Sequence, residues 1–286
     1  MPQFSEADPI VILSYARTPM GSMQGALADA TATDLGATAV KAAVDRSGVP
    51  VDKFDRTYMG CVLPAGLGQA PARQASIKAG LPKSVQATTV NKVCGSGMQT
   101  VIMGSEALAS GTVDYVVAGG MESMTNAPYL LKKHRSGARL GHDTAYDHMF
   151  LDGLEDAYEE GRAMGTFAQD TANEYQLTRE EMDDYSIESL RRANAGATMT
   201  EAAETIPEPG FSQEDFSTRG YYGTLNHNAK AVYQYYFGWW GGVPAEYYEL
   251  PHVVTAARYV EAMGGLDATL AVGARAFEAG DYRWAA

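Results

Sequence analysis

Between residues 10 and 120, short β-branched and apolar runs alternate with stretches of helical period, and this alternation constrains the fold more than anything else in the chain. Residues 10–15, 56–62, 86–93 and 115–118 have strand composition. Residues 34–47 put Leu35, Ala39, Ala42 and Ala43 on one helical face and stop at Gly48 and Pro50. A second helix is expected at 72–79, closed by Gly80 and Pro82, and a third at 98–110, ended by Gly111. Strand and helix in turn predict an α/β layer architecture with mostly parallel pairing. With 286 residues, 45% of them hydrophobic and 20% charged, the chain has material for one large domain or two modest ones.

Residues 121–167 lack a sustained period and are rich in Gly, Met, His and Asp, and a loop that long usually has a function or a partner. Helix is expected again at 168–175, then beyond Thr178, where Thr178 and Glu181 form a capping box and Gly196 marks the end. Residues 203–217 (AETIPEPGFSQEDFS) carry Pro and acid without apolar period, as a linker does. Beyond them the chain turns aromatic, with Tyr221, Tyr222, Tyr233, Tyr235, Tyr236, Phe237, Trp239 and Trp240, followed by helical stretches at 253–263 and 266–278. Two domains are therefore expected, 1–205 (with a loop region at 121–200) and a mainly helical 206–286. The last residues, Asp281-Tyr-Arg-Trp-Ala-Ala, run on inside an apolar pattern.

The formal charge of −13 argues against nucleic acid as a partner, because phosphate backbones select a basic surface. It leaves an anionic substrate such as coenzyme A open, since a few local cations or helix amino termini hold phosphates. Two cysteines, Cys61 and Cys94, do not make a disulfide scaffold and suggest a reduced chain. No run approaches the roughly 20 apolar residues that cross a bilayer, and the start lacks the pattern of a signal peptide, so the expectation is cytoplasmic, with no membrane partner. His134, His142 and His148 have no zinc spacing; no metal is expected, and the three are read as solvent-facing loop residues.

Cys94 lies in Asn91-Lys-Val-Cys-Gly-Ser-Gly-Met98, between an expected strand and an expected helix. A thiol there is exposed at the sheet edge, and the helix amino terminus stabilises a thiolate. Gly95 and Gly97 let a substrate carbonyl approach the backbone, whose amides can act as oxyanion donors. The residues alone leave two readings open, an activated nucleophile or a small buried hydrophobe. For Cys61, next to Gly60 in a strand, packing is the better reading.

The wording of several segments resembles the thiolase family (acetyl-CoA C-acyltransferases). These are Ala16-Arg-Thr-Pro-Met-Gly21, the Cys94 segment, Val117-Ala-Gly-Gly-Met-Glu-Ser-Met-Thr-Asn-Ala-Pro128, Asp152-Gly-Leu-Glu-Asp156 and Met164-Gly-Thr-Phe-Ala168. The capped Thr178-Arg-Glu-Glu helix and Arg192-Ala-Asn-Ala follow, so the resemblance runs over about residues 8–203. It implies a layered fold with helices about two five-stranded sheets. It implies that Cys94 takes an acyl group from acyl-CoA as a thioester, and that Leu154 and Met164 line the pantetheine path. It implies acyl-CoA or coenzyme A as partner, a coenzyme A thioester as substrate, and no further cofactor. Residues 17–21, as a strand-to-loop corner, and the Gly119-Gly120-Met121-Glu122 turn are structural on this reading.

In that family the carboxy-terminal half supplies an Asn-x-Asn-Gly-Gly…Gly-His-Pro segment, whose His activates the nucleophile, and a second catalytic Cys. Neither motif occurs in these 286 residues. Residues of about 214–286 instead resemble the start of the dimerisation domain of alkyl sulfatases in the metallo-β-lactamase superfamily. The resemblance rests on Arg219-Gly-Tyr-Tyr-Gly-Thr-Leu-Asn-His-Asn228, Lys230-Ala-Val-Tyr-Gln234, Gly238-Trp, Arg258-Tyr-Val-Glu-Ala-Met-Gly-Gly265 and Ala276-Phe-Glu-Ala-Gly-Asp-Tyr-Arg-Trp-Ala-Ala286. That family's His-x-His-x-Asp-His dizinc motif is absent, which leaves His227 and Asn228 as helix-start and packing residues. The expectation is an incomplete thiolase-type acyltransferase. The alternative is a non-enzymatic hybrid, or a sulfatase-related dimerisation fragment, that self-associates through its exposed apolar groups.

Overall fold

In a computed structural model, residues 10–207, 220 and 223–285 are described. Three parallel strands, β1 (Arg56–Gly60), β2 (Gln86–Val90) and β3 (Val116–Gly120), form one sheet in the order β2-β1-β3. The register runs Arg56 to Gln86 and to Val116, and Gly60 to Val90 and to Gly120, so all three strands end at one edge. Helices α1 (Ala32–Ser47), α2 (Pro71–Lys78) and α3 (Ser96–Ala109) make the connections and the layers. This is the expected layered α/β arrangement, although the parallel sheet has three strands among the described residues and not the five that the resemblance implies.

The helix boundaries follow local chemistry. Thr31 and Asp34 form a reciprocal capping box at the start of α1, and Gly48 ends it with φ at 71°, a left-handed conformation that glycine adopts freely. Pro71 opens α2, where a missing amide hydrogen costs nothing. The core holds Val40 and Val44 of α1, Met59 of β1, Ala72 and Ala75 of α2, and Val85, Val117 and Met121. Close packing of helix on sheet favours glycine at Gly36 and Gly60: a Cβ on Gly36 would stand 2.6 Å from Met121 Sδ, and one on Gly60 would stand 2.7 Å from Ser96 Cβ.

Residues 10–15 do not form the expected strand. They line a groove along β3 without joining its ladder, held by Ser14 Oγ donating to the Ala43 carbonyl (2.6 Å) and by Arg46 donating to the Tyr15 carbonyl (3.0 Å). Ile12 and Tyr15 are more than four-fifths exposed. β propensity measures fit to a paired, half-buried surface, and with no partner in register the β-branched side chains have no such surface. Residues 17–21 are therefore not a corner after a strand.

The stretch 121–167 is more structured than its lack of period suggests. It holds a short antiparallel pair, β4 (Tyr129–Leu130) with β5 (Tyr146–Asp147), then α4 (His148–Gly153), and α5 (Met164–Glu174) begins within it. Elements of two to six residues are too short to show a period.

The chain divides within α5, at Thr171 and Ala172, into two compact units. The second contains α6 (Arg179–Asn194), α7 (Met199–Glu204), α8 (Leu225–Phe237), α9 (His252–Ala262), α10 (Leu266–Glu278) and α11 (Tyr282–Ala285). The Thr178–Glu181 capping box is present. Residues 208–217 of the linker-like stretch, and Tyr221 and Tyr222, lie outside the described residues. Ala203, Ile206 and Ala229 share a small core with Tyr185, whose hydroxyl donates to the Leu225 carbonyl. His227 sits in the first turn of α8, its imidazole bonded to the capping Thr224, in keeping with a helix-start role.

Candidate active site

Cys94 stands at the carboxyl edge of the sheet, four residues past the end of β2 and two before α3. The turn that places it is tightly specified. The Val93 amide donates to Asn91 Oδ1 (2.9 Å), and Val93 takes a φ of 48°, which a β-branched residue rarely adopts. Ser96 locks the other side: its hydroxyl donates to the Val93 carbonyl (2.5 Å) and accepts from the Lys92 amide (2.8 Å). Strain of this kind persists where the surroundings hold it, and it concentrates at functional sites.

The result separates the two cysteines. Cys94 is exposed and Cys61 is buried. Burial, and then the negative charge of Glu122 beside it, push the Cys61 thiol up to about 12. Of the two readings the residues left open for Cys94, the buried hydrophobe is excluded.

No side chain caps the first turn of α3, which begins at Ser96 with Gly95 at the N-cap. Gly97 is not required by packing, since a Cβ there would meet nothing within 4 Å. Space above a helix amino terminus beside an exposed thiol suits the approach of a carbonyl. Beneath this turn, the Thr100 hydroxyl of α3 is shared between the Gly97 carbonyl of its own helix (2.6 Å) and the Gly119 carbonyl of β3 (2.9 Å), tying the helix to the sheet.

Leu154 and Met164, ten residues apart, are brought together. The Met164 amide donates to the Leu154 carbonyl at 2.8 Å, and Glu155 and Ala163 pair as an antiparallel bridge. The intervening loop is closed by Asp156, which accepts from the Tyr158 and Glu159 amides, and by Arg162, which donates to Glu159 and Asp170. Both side chains are partly exposed.

The loop of residues 61–70, which follows β1, touches both places. Its Val62 carbonyl accepts from Asn91 Nδ2 (3.5 Å), and Leu63 Cδ2 lies 3.4 Å from where a Gly153 Cβ would stand. Glu122 anchors it, accepting from the Val62 amide at 2.7 Å and the Leu63 amide at 3.0 Å, which gives the Gly119–Glu122 turn its structural role. The reading of His148 as solvent-facing is corrected. It is 4% exposed, at the first position of α4, which Asp147 caps. Among the described residues, no group of three His, Cys, Asp or Glu side chains is placed to hold a metal ion, and no helix is long and apolar enough to cross a membrane.

The family model of the thiolase amino-terminal domain matches residues 10–214. The chain belongs to the thiolase family. A second model, alkyl sulfatase dimerisation, matches residues 198–286 and overlaps the first across α7. Among curated thiolase relatives, the cytosolic acetyl-CoA acetyltransferase of Gibberella zeae is 44% identical over 199 residues, which is 70% of this chain and 50% of that one. Acetyl-CoA acetyltransferase 1 of Arabidopsis thaliana is 46% identical over 199 residues, 69% of this chain and 48% of the relative. The chain thus spans about half the length of the curated relatives it matches. A thiolase from Ascaris suum, solved in complex with coenzyme A, matches with a TM-score of 0.58 at 43% identity, covering 65% of this chain and 48% of that one.

Proposed function

We propose that these residues form the acyl-accepting part of a thiolase-type acyl-CoA acyltransferase site. Cys94 Sγ attacks the thioester carbonyl of acyl-CoA, the bond from that carbonyl to the coenzyme A sulfur breaks, and coenzyme A leaves with the proton that the Cys94 thiol gives up. Leu154 and Met164 border the pantetheine chain, and the coenzyme A thioester is substrate, with no further cofactor. The observation that carries this reading is the exposure of Cys94 on a strained turn at the edge where all three strands end, the usual place for a ligand in an open α/β sheet. No Gly-His-Pro segment occurs in these 286 residues, so turnover by this chain alone is expected far below that of a complete thiolase. The test is intact mass after mixing with acetyl-CoA: an acetyl adduct lost in Cys94→Ser supports the reading, and no adduct at any pH rejects it.

Residues 1–205 and 206–286 are proposed as the two parts by descent, and their junction falls inside the second compact unit. The cytosolic relative supports a cytoplasmic setting. The dimerisation match supports a second reading, self-association, in which Leu266, Leu270, Phe277 and Trp284, each more than three-fifths exposed, supply the apolar surface. Light scattering on a sizing column tests it, and a concentration-independent monomer that binds no hydrophobic dye would reject it.

A further inference from the structure

His148 is a buried side chain with both ring nitrogens engaged. Its Nδ1 lies 2.6 Å from Asp152 Oδ2, one helical turn along α4. The Ala65 amide, 83 residues earlier in the chain, donates to its Nε2 at 3.3 Å. An amide can donate only to a ring nitrogen that carries no proton, so the geometry selects one tautomer, with the proton on Nδ1 facing the carboxylate. The backbone amide of His148 donates to the Pro128 carbonyl (3.1 Å), which closes the contact from a third segment.

We propose that His148 is a positioning residue for the acyl-CoA site. It holds α4, and hence Leu154 at the carboxyl end of α4 and Met164 bonded to it, against the loop of residues 61–70 that also meets Asn91 of the Cys94 turn. The inference rests on the acyl-CoA reading above and deepens it: the imidazole sets where the pantetheine wall stands relative to the thiol. A wall displaced by an ångström weakens substrate placement while leaving the thiol as it was.

The experiment compares two acetyl donors for Cys94 in the full chain, acetyl-CoA and p-nitrophenyl acetate, a small activated ester with no pantetheine to place. His148→Leu fills the space without polar groups, His148→Gln keeps an acceptor for the Ala65 amide, and Asp152→Asn removes the half-exposed carboxylate. In His148→Leu the half-saturating acetyl-CoA concentration is expected to rise about tenfold, with the maximal acylation rate within about twofold and the ester rate unchanged. His148→Gln should restore half-saturation to within about threefold, and Asp152→Asn should raise it about threefold. Asp152→Asn serves as the folded variant should His148→Leu not fold. An equal loss with both donors, or no change with acetyl-CoA in either His148→Leu or Asp152→Asn, would overturn the proposal while leaving the acyl-CoA reading standing. A wild-type chain acetylated by the ester and not by acetyl-CoA would overturn that reading, and this inference with it.

Discussion

Two thiols in one chain make an internal control. Cys61 is buried and its thiol is pushed up to about 12, so at neutral pH it holds almost no thiolate. Cys94 is exposed. Iodoacetamide at neutral pH should therefore label Cys94 at least tenfold faster than Cys61, read by peptide mass; equal rates would remove the structural ground for Cys94 as acyl acceptor. Gly97 gives a second test. It lies in the first turn of α3 with open space where a Cβ would stand. Gly97→Ala should raise stability by about 0.5–1 kcal/mol, from the lower backbone entropy of the unfolded chain. Acylation by acetyl-CoA should nevertheless fall, because the added methyl occupies the space left for a carbonyl. Denaturant melts and adduct formation on the same variant separate the two effects; unchanged acylation would show that no substrate approaches there.

Elements differ in how much of their cause is local. Gly48 and the Thr178–Glu181 box mark helix ends through backbone groups within a few residues, and those two ends stand where the sequence puts them, while α1 and α2 begin at Ala32 and Pro71, ahead of the expected residues 34 and 72. The Asp34 carboxyl at the start of α1 is held below its ordinary 3.8, first by the hydrogen bond from Lys78 (2.6 Å) and then by Thr31. A depressed carboxyl stabilises the fold above its unfolded value and loses that contribution as the pH falls through its folded value. Lys78→Met should thus lower stability at pH 6, by under about 1 kcal/mol because both side chains are roughly half exposed, and the difference from wild type should shrink as the pH falls below 3.8, leaving only what the Lys78 bond to Thr33 Oγ1 (2.9 Å) contributes. Residues 10–15 are the contrary case. Their composition reads as strand, but pairing is decided by another segment, and β3 does not accept them. Ile12→Lys, at a position four-fifths exposed, should shift stability by less than about 0.5 kcal/mol, whereas Met59→Ala in β1 should cost about 2–5 kcal/mol. The site divides along the same line. Exposure of Cys94 follows from strand, turn and helix in sequence. The pairing of Leu154 with Met164 and the burial of His148 do not, because each depends on a partner that no period or spacing announces, ten residues on in one case and 83 residues back in the other.

Descent and compactness divide this chain at different places. The thiolase match reaches residue 214 and the sulfatase-type match begins at 198, so α6 lies in the first, α8 in the second, and α7 in both. A linker joining two unrelated pieces would leave α6 and α8 to unfold separately. The packing says otherwise. Tyr185 of α6 shares a core with Ala203, Ile206 and Ala229 and donates its hydroxyl to Leu225 of α8. Glu204 of α7 accepts from Asn226 of α8 (3.0 Å) and from Arg283 of α11 (3.0 Å), and the Met199 amide donates to the Gly241 carbonyl (2.9 Å). Elements that share one core open together, so the helices on both sides of the junction should behave as a single cooperative segment. Ile206→Ala leaves a cavity where they meet, at an expected cost of about 2 kcal/mol or more. Hydrogen exchange followed by mass spectrometry should then show amides of α6, α7 and α8 losing protection together, by a similar factor, with those of β1 and β3 unchanged. Loss confined to α7 with α8 as protected as before would mean that the aromatic segment holds itself together, and that the contact with α6 contributes nothing to its stability.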